Sequence, residues 1–215
     1  MQFDTIIVIL TDDLDHGSSP DHFKKEGRGR QPTGCACSGK PRDSASMADH
    51  QFIKHPLPPL FDSASRILIL GSFPSVKTRE QGFFYGHPQN RFWPVLSAVL
   101  GVDPPLVVTE PGRARRVLRE RGVAMWDSIA SCEIAGSSDS SIRHVVPTDL
   151  SVIFSSAVIR HVFCNGAASY RYFMKYQTVP PHIGVSKMPS TSPANAAHSL
   201  IDLIRAWQVI LDYLD

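Results

Sequence analysis

From about position 55 onward, apolar residues fall into blocks whose spacing changes from one block to the next. RILILG (66–71) is an unbroken apolar run ending in glycine, which predicts a strand buried on both faces of a parallel sheet. NRFWPVLSAVLG follows, with Phe92, Val95, Leu96, Val99 and Leu100 at helical spacing and Gly101 as the stop. A helix is therefore expected to begin near Asn90 or Arg91, with Pro94 in its first turn, where backbone N–H groups have no intrahelical partner. PGRARRVLRERG (111–122), DLSVIFSS (149–156) and AASYRYFMKY (167–176) read as further helices, and VAMWDSI (123–129) and VIRHVFCNG (158–166) as strands. HIGVSKMPSTSPANA (182–196) reads as a strand running into a loop, and a closing helix places Leu200, Leu203, Ile204, Trp207, Leu211 and Leu214 on one face. Strands alternating with helices predict an α/β domain, a three-layer α/β/α sandwich with a mainly parallel central sheet. Ligands on such sheets bind at the carboxyl ends of the strands. Three segments rich in polar or small residues leave those ends, 71–90, 165–166 and 189–195, and can converge on one pocket.

The first 50 residues break this pattern. Positions 12–50 are rich in Asp, Ser, Gly, Lys and Pro with few apolar anchors, so residues 1–50 read as a variable, disordered extension to a domain spanning 51–215. The run Ile6-Ile7-Val8-Ile9-Leu10 is shorter than a signal-peptide core, lacks a preceding basic residue and ends in an acidic cluster; its alternative reading is a strand added to the sheet. Neither export nor a membrane span is expected.

Composition narrows the function. With 215 residues, 42% hydrophobic and 20% charged, the chain has room for one domain with a substantial core. The formal charge is +2, but residues 1–50 carry 6 Lys+Arg against 8 Asp+Glu, leaving the remainder at 16 against 12, a net +4 compatible with a polyanionic partner. Cys35, Cys37, Cys132 and Cys164 are too few and too scattered for a disulfide scaffold, which points to a reducing, intracellular setting. No second close pair or zinc-spaced His accompanies Cys35 and Cys37, so no metal is expected.

The segment GSFPSVKTREQGFFYGHPQNRFW (71–93) carries the candidate chemistry. It contains neither G-x-G-x-x-G nor G-x-x-x-x-G-K-[ST], and Pro74 removes a backbone donor where a phosphate nest would want consecutive N–H groups. A G-x-S-x-G nucleophile elbow is also missing. Phe73, Phe83, Phe84 and Tyr85 beside amide and hydroxyl groups suit a slot that stacks a flat heterocycle and reads its edge.

A strand ending GSFPS, then FFYGHPQNRFW, and finally MPSTSPANA resembles the uracil-DNA glycosylase superfamily, and within it the hypoxanthine (deoxyinosine) branch, over roughly residues 57–214. The resemblance implies an α/β/α fold, a flipped base, monofunctional hydrolysis of deoxyinosine in double-stranded DNA and no cofactor; a monomer is expected, although the sequence itself does not fix the oligomeric state. It places base stacking on Tyr85, base contacts on Ser72, Phe73 and Asn165, and DNA contacts on Ser190, Ser192, Pro193 and Asn195. Where the uracil branches carry a water-positioning Asp or Asn before the first motif's Pro, this chain has Phe73, and the catalytic amide is transferred to Asn90. Met188 stands where the second motif often carries a His. No bulky wedge follows Pro193.

Ordinary readings compete with each assignment. Asn90 precedes a helix and suits an N-cap. His87 reads more readily as a loop hydrogen-bonder, and Asp127 either orients the site or bonds structurally. Asn165 reads the base or closes a turn. Arg113, Arg115, Arg116, Arg119 and Arg121 form a solvated helix face. The rival functions are mismatch-type uracil excision, an inactive reader of damaged DNA, and hydrolysis of free nucleosides.

Overall fold

Alternation along β2 (Ile67–Gly71) organises the domain. The computed structural model describes residues 50–214, so the N-terminal extension, the Ile6 to Leu10 run, Cys35 and Cys37 lie outside the described residues. Ile67 and Ile69 point into one apolar layer and Leu68 and Leu70 into another, because successive strand side chains face opposite ways. Burial on both faces explains why this segment shows no polar alternation in the sequence.

Parallel neighbours flank β2 on both sides. β3 (Val123–Asp127) pairs with one edge, and β6 (His161–Asn165) with the other, followed by β7 (Gly184–Met188), giving the order β3-β2-β6-β7. On one side α2 (Phe92–Leu100), α3 (Pro111–Glu120) and α6 (Leu200–Trp207) bury Phe92, Leu96, Ala114, Leu118, Leu203 and Trp207 against the sheet. On the other, α4 (Ser151–Phe154) and α5 (Ala167–Tyr176) contribute Ile153 and Phe173. The expected three-layer α/β/α arrangement around a parallel sheet is the one observed.

Several elements depart from the sequence reading. VAMWDSI is two strands: β3 ends at Asp127, and after Ser128 the chain enters β4 (Ile129–Ile134), which pairs antiparallel with β1 (Gln51–Lys54) and β5 (Arg143–Pro147) in a second, three-stranded sheet. Ser128 makes the break, its backbone N–H and hydroxyl both donating to the Gly71 carbonyl. The closing helix also shifts register. It passes at Gln208 into a 3₁₀ segment of three residues per turn, so Ile210 is buried while Leu211 faces solvent; Leu200, at the start of α6, is exposed as well. On α3, Arg115 covers the Phe83 ring at 5.0 Å and Arg113 bonds the Pro104 and Pro105 carbonyls, while Arg116, Arg119 and Arg121 form the solvated face. No helix among the described residues is long and apolar enough to cross a membrane.

Candidate active site

Gly71, Asp127, Asn165 and Met188 end the four parallel strands. Above the first three opens a cavity of about 130 Å³. That is well below the roughly 300 Å³ at which pockets begin to hold drug-sized ligands, so it suits one flat ring system.

The long loop after β2 holds a helix that the sequence did not announce, α1 (Val76–Gln81), whose N-terminus is capped by Ser75 and which ends at Gly82 in the left-handed region. Thr78 Oγ1 accepts the Gly86 N–H at 3.1 Å and so ties the Tyr85-Gly86 corner to α1. Trp93 Nε1 donates to the Phe84 carbonyl at 3.1 Å, and the Phe83 ring stacks on Trp93. Phe83 is therefore core and does not line the cavity, contrary to the four-aromatic slot suggested by the sequence; Phe73, Phe84 and Tyr85 do line it. Tyr85 holds φ at 54°, rare for a residue with a side chain and a form of strain that gathers at functional sites. Phe92 covers one face of its ring at 3.8 Å.

Asn90 sits just before α2. Its Oδ1 accepts the Phe92 N–H at 3.0 Å and the Thr191 hydroxyl at 3.0 Å, although Arg91 occupies the formal cap position. Because a backbone N–H can only donate, this contact fixes the carboxamide orientation and leaves Nδ2 without a hydrogen bond among the described residues. Asn90 thus serves the helix start and still offers a donor to the cavity it lines.

Thr191, 0% exposed, is the residue that the sequence reading passed over. Its N–H donates to Asn165 Oδ1 at 3.0 Å and its Oγ1 accepts from Asn165 Nδ2 at 2.9 Å, so the hydroxyl proton goes to Asn90. One side chain clasps the ends of two loops and a strand. Arg91, also unforeseen, gathers the 192–198 turn by donating to the carbonyls of Ser192, Asn195 and His198.

At the cavity floor Asp127 is 4% exposed, and His55 Nε2 lies 2.7 Å from Asp127 Oδ2. His55 Nδ1 accepts the Leu57 N–H, which puts the ring proton of a neutral imidazole on Nε2 and directs it to Asp127. Asp139, brought in by a 3₁₀ turn between β4 and β5, accepts the Ser72 hydroxyl at 2.8 Å on the rim. Desolvation raises its carboxyl pKa, the Ser72 hydrogen bond opposing and the Asp127 charge adding to the shift.

Of the residues singled out in the sequence, Ser72, Phe73, Tyr85, Asn90, Asp127, Asn165, Ser190 and Ser192 converge on the cavity. Asn195 lines the adjoining shallow groove, where its Nδ2 donates to the Ser190 carbonyl at 2.7 Å. Pro193 lines neither. His87 also stays outside the cavity and accepts the Gln89 N–H, a loop contact. Cys132 and Cys164 are buried, their thiols pushed up by burial to about 11 and about 12, and neither lines the cavity. Among the described residues no group of three His, Cys, Asp or Glu could hold a metal ion.

Gly71 is needed for close approach. A methyl carbon built there runs into Asp127 Oδ1 and comes within 3.3 Å of Tyr85 Oη. Gly71→Ala is expected to cost about 1–3 kcal/mol as an overpacked site does. An unchanged denaturant midpoint would show that Asp127 swings aside freely.

Comparison with known proteins agrees with this geometry. Residues 58–211 match the family described as the uracil DNA glycosylase superfamily. A protein of Methanosarcina barkeri named hypoxanthine DNA glycosylase is 29% identical over 120 residues, 55% of this chain and 75% of the relative. One of the same name from Methanosarcina acetivorans is 28% identical over 153 residues, 68% of this chain and 91% of the relative. The solution NMR structure of a uracil DNA glycosylase candidate from Methanosarcina acetivorans, 23% identical, superposes with a TM-score of 0.59 over 75% of this chain and 99% of that one, a likeness of fold. With the parallel sheet, the cavity at its carboxyl ends and a family match over most of its length, the chain belongs to the uracil DNA glycosylase superfamily and is, by that membership, a DNA glycosylase.

Proposed function

We propose that this protein excises hypoxanthine from deoxyinosine in double-stranded DNA by hydrolysing the N-glycosidic bond, with residues 51–215 carrying the activity. The observation that carries this reading is the Asn90 carboxamide, held through its oxygen by Phe92 and Thr191 so that its amino group is left for a substrate. Both curated relatives quoted above bear the hypoxanthine name, which supports the choice of base.

Cleavage of a glycosidic bond passes through an oxocarbenium-like state, which calls for preorganised polar groups around the sugar and departing base. Water adds to C1′ as the C1′–N9 bond breaks, N9 takes the electron pair, and the released base gains a proton as the water loses one. Asn90 Nδ2 supplies the donor that places the water or holds the base. Among the described residues no Lys, His or Cys lines the cavity, which supports direct hydrolysis by water over attack by an amine or thiol. Phe73, Tyr85, Ser72 and Asn165 border the base, and the segment that carries Ser190 and Ser192 in the cavity wall, Asn195 in the adjoining groove and Pro193 outside both meets the DNA backbone.

Single-turnover assays on duplexes carrying inosine, uracil, xanthine or adenine test the reading. Release of hypoxanthine well ahead of uracil is expected, and an enzyme that releases uracil alone, or nothing, overturns it. Binding to the inosine duplex is expected to weaken with salt by a log–log slope near −0.9 per phosphate contact. A flat response over a fourfold rise in salt would exclude phosphate-led binding.

A further inference from the structure

The Tyr85 hydroxyl is buried, yet Tyr85 Oη makes no hydrogen bond among the described residues. Burial raises the phenol pKa, the Asp127 charge raises it further, and the Asn165 amide, near but outside hydrogen-bond geometry, opposes the shift, so the group stays protonated. Beside it stands Asp127, whose Oδ2 is taken by the His55 Nε2–H and whose Oδ1 closes over Gly71 next to the Tyr85 oxygen. Both residues line the cavity. A donor and an acceptor therefore lie side by side on the floor, neither with a hydrogen-bond partner among the described residues.

Resting on the glycosylase reading above, we propose that this pair reads the lactam edge of the flipped base: the Tyr85 hydroxyl donates to the exocyclic carbonyl oxygen, and Asp127 Oδ1 accepts the adjacent ring N–H. Hypoxanthine, xanthine and uracil all present a carbonyl next to a ring N–H. Adenine and cytosine present the reverse, an amino group next to an acceptor nitrogen. An ionised carboxylate only accepts. It therefore faces the ring nitrogen of an undamaged adenine with no proton between them, and a buried polar pair left unmatched is what makes hydrogen-bonding sites selective. The fixed Asp127 charge also disfavours negative charge on the departing base, so this contact selects the base and the acceleration falls to Asn90. Tyr85 then meets the base through its hydroxyl edge rather than through the stacking that the sequence motif suggests, one ring face being occupied by Phe92.

The test uses the full chain and three duplexes, bearing deoxyinosine, 1-methyldeoxyinosine, which lacks the ring N–H, and deoxynebularine, which lacks the ring N–H and the carbonyl. Wild-type protein is expected to release 1-methylhypoxanthine about 100-fold more slowly than hypoxanthine, the range for a hydrogen bond to a charged group. Tyr85→Phe keeps the ring and is expected to lower the deoxyinosine-to-deoxynebularine rate ratio about tenfold. Asp127→Asn keeps an acceptor for His55 and turns a donor to the cavity, so its deoxyinosine-to-deoxynebularine rate ratio should fall at least tenfold. Tyr85→Phe acting equally on deoxyinosine and deoxynebularine, or 1-methyldeoxyinosine cleaved as fast as deoxyinosine, overturns the lactam contact while leaving the proposed function standing. Wild-type protein that releases neither hypoxanthine, uracil nor xanthine removes the proposed function and this contact with it. If Asp127→Asn fails to fold, the methylated substrate and Tyr85→Phe still decide.

Discussion

Asn90→Asp is expected to fold with nearly the wild-type denaturation midpoint and to lose about 10²-fold or more in single-turnover rate, as the loss of one preorganised donor does. The carboxylate keeps an oxygen for the Phe92 N–H and the Thr191 hydroxyl, so the start of α2 survives, but it has no N–H to present to the cavity. Asn90→Ala should lose a similar amount of rate and in addition about 1 kcal/mol of stability, because the Phe92 N–H loses its partner. If Asn90 serves only the helix, the order reverses: Asn90→Asp is fully active and Asn90→Ala is active in proportion to its folded fraction. That outcome would move the catalytic amide to Asn165.

Thr191→Val carries the second large effect. The side chain keeps its volume and burial, but Asn165 Nδ2 loses its acceptor and Asn90 loses one of two restraints. Leaving such a polar group unmatched in a buried site costs about 1–3 kcal/mol. A freed Asn90 carboxamide is expected to slow the chemical step by roughly tenfold, since small misplacements of a positioning group are felt strongly in rate. Thr191→Ser restores the hydroxyl and is expected to recover most of both losses. Thr191 acts through Asn90, so the Thr191→Val/Asn90→Asp double variant should be little slower than Asn90→Asp alone; additive rate losses would assign Thr191 an independent role.

The site was half legible before the fold was known. Ser72, Phe73, Tyr85 and Asn90 share one loop between a buried strand and an amphipathic helix, and the polar run 189–195 follows another strand, so their convergence follows from strand order alone. Phe83 misled because four adjacent aromatics carry no sign of which ring turns inward; contact with Trp93 and Arg115 decides it. Thr191 left no signal, since a threonine among serines and prolines looks like any loop residue. Asp139 sits in a serine-rich turn 67 positions from Ser72 and is likewise silent.

What the sequence by itself determined is the order of buried strands and amphipathic helices, and hence the layered parallel sheet with its cavity at the carboxyl ends. Hydrophobic period and stop residues act between near neighbours, so they can be read along one chain. Only the tertiary structure decided the antiparallel second sheet, whose two outer strands are largely exposed, and the register change that buries Ile210 instead of Leu211. It also decided the clasp of Asn90 by Thr191 across 101 positions and the delivery of His55 to Asp127 across 72. Those contacts depend on loops meeting above a finished sheet, and a hydrogen bond between distant residues leaves no periodicity in the sequence that produces it.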